Sequence, residues 1–174
     1  MRLAHSCQPF IERVEKTVTR IVDEAVSADK SRTYINTVSE IKSFIESLKV
    51  FLSTLKLLEE LFPDLKVGRP CFRWVYAEEP STISLARLES GLSIVYTSDY
   101  IRITYGDKSI TLYELPHIGI KVNQYSDEIA LEDEENIVTK RSLIIDAISV
   151  IRNQLEKSTE NLNLCIKYTK LRTS

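Results

Sequence analysis

The stretch IVTKRSLIIDAISVIRNQLEKSTENLNLC, residues 137–165, decides the fold. Ile137, Arg141, Ile144, Ile148, Ile151, Leu155, Ser158, Leu162 and Cys165 recur in alternating steps of three and four, so they share one face of a helix. Asp133 precedes the stripe as an N-cap, and Glu134 and Glu135 suit the positive end of the helix dipole. A helix over 134–170 would be roughly 50 Å long at ~1.5 Å per residue. Arg141 and Ser158 stand at seam positions, where a polar side chain sets register or partner choice, or simply meets solvent.

The same spacing occurs upstream at Val38, Ile41, Ile45, Leu48, Leu52 and Leu55. Phe44, Phe51 and Leu58 add a flanking row, and a face this wide predicts contact with two other helices or self-association. Phe62-Pro63 ends this second helix, because the residue before proline avoids helical geometry. An earlier helix is predicted from Pro9, with Phe10, Ile11, Val14, Val18, Ile21, Val22 and Ala25 on one face. Residues 27–32 break the pattern as a turn, after which Asp29 or Ser31 caps the second helix.

Between these helices the period changes from 3.6 to 2. Phe72, Trp74 and Tyr76 alternate with Arg73 and Val75. Further strand-like runs lie at 82–88, 92–97, 100–105, 110–115 and 118–123, with a short edge possible at 127–131. The turns between them are short, so neighbouring strands pair antiparallel. The expected fold is α+β. Helices at roughly 9–27, 33–62 and 134–170 form an antiparallel three-helix bundle, and a five- or six-stranded antiparallel meander over 71–123 is inserted between the second and third. By domain, residues 1–63 are a helical hairpin, 64–132 the β-meander insertion, and 133–174 the helix that completes the bundle.

The chain has 174 residues, 43% of them hydrophobic, and a formal net charge of −2. That suffices for a packed core and excludes a disordered polyelectrolyte. Residues 64–135 hold seven basic and thirteen acidic residues, a net of −6, whereas 136–174 hold seven basic and three acidic, a net of +4. Cys7, Cys71 and Cys165 are scattered and odd in number, which fits neither a disulfide framework nor a zinc site and predicts reduced thiols. No signal-like or membrane-spanning apolar run is present, so a cytoplasmic protein is expected. One Met, four Gly and abundant Ile, Tyr, Glu and Lys point to a thermophilic source, archaeal or viral.

Chemistry-bearing patterns are few. His5 and His117 are the two histidines, neither with a nucleophile motif. The four glycines stand singly, without a phosphate-binding fingerprint. The acidic run from Asp127 to Glu135 lacks the glycine and alternating oxygens of a calcium loop. No catalytic residue, metal site or cofactor is therefore expected.

The leading expectation is a non-catalytic assembly or adaptor protein that self-associates or docks into a larger complex through its helices. Its expected protein-interface residues are Ile41, Phe44, Leu48, Phe51, Leu55, Leu58, Ile144, Ile151, Leu155 and Leu162. The alternative is a nucleic-acid-associated subunit of a nucleoprotein complex, with contacts from Arg73, Trp74, Arg102, Lys167 and Lys170. Aromatic and basic residues alternate at Phe72-Arg73-Trp74 and at Tyr100-Ile101-Arg102, and the last helix ends basic. The order helix, strands, helix resembles prefoldin in layout. The union of helices with a β part is similar to small helical subunits of archaeal CRISPR effector complexes, which would be RNA-guided. No motif residue carries either likeness, and no family is assigned.

Overall fold

The computed structural model describes residues 3–61, 67–69, 72–78, 84–88, 90–114, 116–123 and 128–173, with side chains at 3–61, 90–114, 116–123 and 128–167. The fold is α+β. Four helices lie among the described residues: α1 Leu3–Ser27, α2 Arg32–Leu61, α3 Glu134–Thr139 and α4 Arg141–Thr173. Eight strands form one antiparallel sheet in sequence order: β1 Val67–Arg69, β2 Phe72–Glu78, β3 Ser84–Leu88, β4 Ser93–Tyr96, β5 Tyr100–Tyr105, β6 Lys108–Glu114, β7 Ile118–Val122 and β8 Ile129–Ala130. The meander is thus longer than the five or six strands expected over 71–123: it gains β1 before Pro70, and the short edge named at 127–131 is present as β8.

Local chemistry sets the boundaries. The Ser31 hydroxyl accepts from the N–H of Tyr34 at 3.2 Å and caps α2, while Asp29 takes φ 55° in the turn before it. Asp133 caps α3 through the N–H of Asn136 at 3.3 Å. The single helix expected over 134–170 is instead broken at Lys140, which has φ −92° and ψ 8°. The β-branched run Ile137-Val138-Thr139 just before the break is poor helix former. α1 begins at Leu3, so Pro9 lies inside it and does not start it. Pro9 is exposed, which leaves the carbonyl it cannot satisfy open to water.

The three long helices differ from the expected antiparallel bundle. α2 lies between α1 and α4, packed along both, while α1 and α4 rest on the sheet. α1 and α2 are antiparallel, tied by Lys49–Glu15 at 2.9 Å and by Ala4–Glu59. α4 runs parallel to α2. The start of α2 meets the residues before α3, where the Tyr34 hydroxyl donates to the Leu131 carbonyl and the Ser31 N–H to Glu134. Farther along, Arg152 reaches Glu40 and Ser47, and Val50 shares a cavity with Thr159 and Glu160. The meander brings the chain back to the end where α2 began, so the next helix repeats α2's direction.

Alternation divides the sheet into two faces. Ile94 pairs with Ile103, Ile103 with Ile110 and Ile110 with Val122; Ile101 pairs with Leu112 and Leu112 with Ile120; all are buried. This is the helix side: Tyr96 meets Phe10 edge-on at 6.3 Å, Glu114 bonds Arg13 at 3.2 Å, and Lys108 bonds Asp146 at 2.6 Å. The core is one cluster that runs through α1, α2, α4 and this face. Cys7 is a buried free thiol, but Cys165 is disulfide-bonded, against the expectation of reduced thiols throughout. Scattered sequence positions give no measure of approach in space. No helix among the described residues is long and apolar enough to cross a membrane.

Candidate functional site

Two surfaces concentrate unusual residues. The first is a groove between the parallel helices α2 and α4. Glu40, Arg141, Ile145, Ile148, Ser149, Arg152, Asn153 and Glu156 line one cavity of about 390 Å³. Ser43, Glu46, Ser47, Val50, Arg152, Glu156, Thr159 and Glu160 line a second of about 410 Å³. Arg152 and Glu156 belong to both, so the cavities form one trough. Arg152 is already engaged: its Nε donates to Ser47 Oγ at 3.1 Å and lies 3.3 Å from Glu156, and its Nη1 lies 3.9 Å from Glu40. Glu46 and Glu160 make no ion pair among the described residues. The walls therefore carry an acidic excess.

The row Ser43, Ser47, Val50 continues on helical spacing to Thr54, Leu57 and Leu61. Opposite, Glu156, Thr159 and Glu160 lead to Asn163, Leu164 and Lys167. Val50 is 56% exposed, Leu57 41%, Leu61 37% and Leu164 51%. Leucine and valine on a helix normally face inward, so these exposed apolar side chains are the ones the core leaves unused, and Val50 among them lines the second cavity. The signal was present in the sequence as a second apolar row on α2, outside the main stripe.

The ten residues expected to form a protein interface do not lie on either surface. Ile41, Phe44, Leu48, Phe51, Leu55, Leu58, Ile144, Ile151, Leu155 and Leu162 are all buried within the chain itself. The wide face of α2 is used up by α1 and α4 on its two flanks. Of the two polar seam residues, Ser158 is buried and Arg141 is exposed.

The second surface is the sheet face turned away from the helices. The register row Val95–Arg102–Thr111–Lys121 crosses four strands. Tyr100 pairs with Tyr113 beside it. The Arg102 guanidinium lies 5.0 Å from the Tyr100 ring centre, and its Nε donates to Thr111 Oγ1 at 3.1 Å. Arg102 makes no ion pair among the described residues. Lys121 lies over the Tyr113 ring at 5.5 Å and pairs with Glu128 at 3.3 Å. Tyr113 is buried; burial first, and then the charge of Glu128, pushes its hydroxyl up to about 12.

Of the expected nucleic-acid contacts, Arg102 is on this face and Lys167 is exposed on α4. The side chains of Arg73, Trp74 and Lys170 lie outside the described residues. Register alone assigns alternate faces to β2: Trp74 pairs with Leu88 and Tyr76 with Ala86, in line with buried Ile94, whereas Val75 pairs with Arg87 on the other alternation. Arg73 and Trp74 are adjacent in the strand and so belong to opposite faces.

His5 is exposed, and His117 meets the Tyr113 ring edge-on at 6.2 Å. Among the described residues no three His, Cys, Asp or Glu side chains gather in metal-binding proximity. Comparison with family models, curated proteins and solved structures returns no match.

Proposed function

We propose that this chain is a non-catalytic assembly or adaptor protein whose α2–α4 groove receives an amphipathic helix with basic flanks from a different protein. The observation that carries the reading is the exposed row Val50, Leu57, Leu61 on α2, which begins in the acidic trough at Val50, with Leu164 exposed on α4. A groove between helices takes a third helix by burying the guest's apolar stripe. Glu46 and Glu160 then meet basic residues at the guest's edges, and Arg152 stays satisfied by Glu40 and Glu156.

Charge complementarity chooses the occupant. A second copy docking groove to groove would set Glu46 and Glu160 against their counterparts, and like charges facing one another in an interface are costly. Self-association, expected from the wide α2 face, loses that basis because the face is internal. The chain should therefore run at its monomer mass of 20.0 kDa in light scattering at neutral pH.

The test is a fluorescence-anisotropy titration with a labelled leucine–lysine amphipathic peptide and a leucine–glutamate peptide of equal length. The reading predicts saturable binding of the basic peptide, lost in Leu57→Glu, and none of the acidic one. Equal binding of both peptides, or retention by Leu57→Glu, contradicts it.

A further inference from the structure

We propose that the sheet face opposite the helices binds single-stranded nucleic acid, with Arg102 and Lys121 contacting successive phosphates and Tyr100 stacking a base. Three observations support this independently of the helix groove. Arg102 carries a charge without an acidic partner among the described residues, yet it is held in place by Thr111 and by the Tyr100 ring. A guanidinium positioned this way is ordered in advance and keeps its terminal N–H groups for an incoming oxygen. Lys121 occupies the same register row two strands away, about 10 Å at the usual strand spacing. Finally, a cavity of about 290 Å³ opens next to Arg102, lined also by Thr104, Ser109, Asn123 and the Gly106–Lys108 turn. Its threonine and serine hydroxyls suit a sugar–phosphate unit, and Asp107 is the one carboxylate on its wall.

Among the described residues, the carboxylates of the acidic stretch 64–135 lie off the row itself. Asp99 and Asp107 sit in turns, and Glu114 points to α1, where it bonds Arg13. Glu128 does reach Lys121, so Arg102 provides the stronger phosphate contact. The partner's class follows from shape. The face carries strands only and projects no helix into a duplex groove, whereas unstacked bases lie readily on strand-borne tyrosine. An anionic membrane surface calls for a cluster of four to eight basic residues, more than this row supplies.

The experiment is an anisotropy titration of the full chain with labelled oligouridylate, oligothymidylate and a DNA duplex of matching length, at about 0.05 and about 0.15 M salt. Single strands should bind more tightly than the duplex. With two phosphates engaged, the slope of log affinity against log salt should be near −1.4, at about −0.7 per phosphate. Arg102→Ala should reduce that slope by about 0.7, and Tyr100→Ala should weaken binding about tenfold. Arg102→Lys should keep the slope while losing affinity, which separates the contact from a folding defect, and Lys167→Ala and Leu57→Glu should bind as wild type. Preference for duplex, wild-type binding by Arg102→Ala, or an equal loss in Lys167→Ala would overturn the proposal. Because Leu57→Glu acts on the groove alone, failure here leaves the helix-docking reading untouched.

Discussion

The backbone N–H of Ala4 donates to Glu59 Oε1 at 3.2 Å, joining the first turn of α1 to the end of α2 across 55 residues of sequence. Glu59 is 1% exposed. The first N–H groups of a helix have no partner within it, and the N-terminal end of the helix dipole favours a carboxylate. Glu59→Ala leaves that buried donor unmet and should cost about 1–3 kcal/mol, while Glu59→Gln, which still offers an oxygen, should cost less. Urea denaturation of the three proteins measures the order.

Cys7 stands one turn from Ala4, and burial first, then the charge of Glu59, pushes its thiol up to about 12. The thiolate is the reactive form, so Cys7 should resist alkylation in the folded protein near neutral pH and react once the chain is unfolded. Iodoacetamide treatment followed by peptide mass spectrometry reads this out. Labelling of Cys7 at the same rate in both states would show that α1's first turn opens easily.

Glu134 links α3 to the turn before α2. Its carboxylate accepts from the Ser31 N–H at 3.2 Å and pairs with Lys30 at 3.5 Å. The Ser31 bond, followed by Lys30, lowers its pKa from 4.5. A lowered carboxyl pKa makes the unfolded chain bind the proton more tightly. The stabilisation is therefore present above about 4.5 and disappears as pH falls below it. Glu134→Gln should melt below wild type at pH near 7, and the gap should close in acid. A gap independent of pH would assign the effect to packing.

Leu48 of α2 and Ile151 of α4 are fully buried. Truncating either to Ala should cost ~2–5 kcal/mol, the range for large-to-small changes in packed cores. Chemical denaturation of both variants checks it. Wild-type stability in both would mean that the α2–α4 seam is not packed.

Much of the fold was legible from periodicity. The apolar stripes of α2 and α4 and the strand runs from Leu92 to Asn123 rest on spacing within one element, which local sterics dictate. What spacing lacks is direction and neighbourhood. Nothing in residues 134–170 says that α4 runs parallel to α2, because that depends on where the meander returns the chain. The same gap explains the interface residues: Phe44 and Leu58 read as a face awaiting a partner, and the partners are α1 and α4 of the same chain. The Cys165 disulfide was invisible for a like reason. Arg102 beside Tyr100 is legible from alternation within one strand, whereas its place relative to Trp74 depends on the register of β2 through β5.

The most direct measurement is chemical-shift mapping of isotope-labelled protein during titration with the leucine–lysine peptide. The account predicts that the amides of Val50, Thr54, Leu57, Leu61 and Glu160 shift together and saturably, while those of Arg102 and Lys121 stay in place. Shifts confined to the sheet, or scattered over the surface without saturation, would contradict a helix-docking groove between α2 and α4.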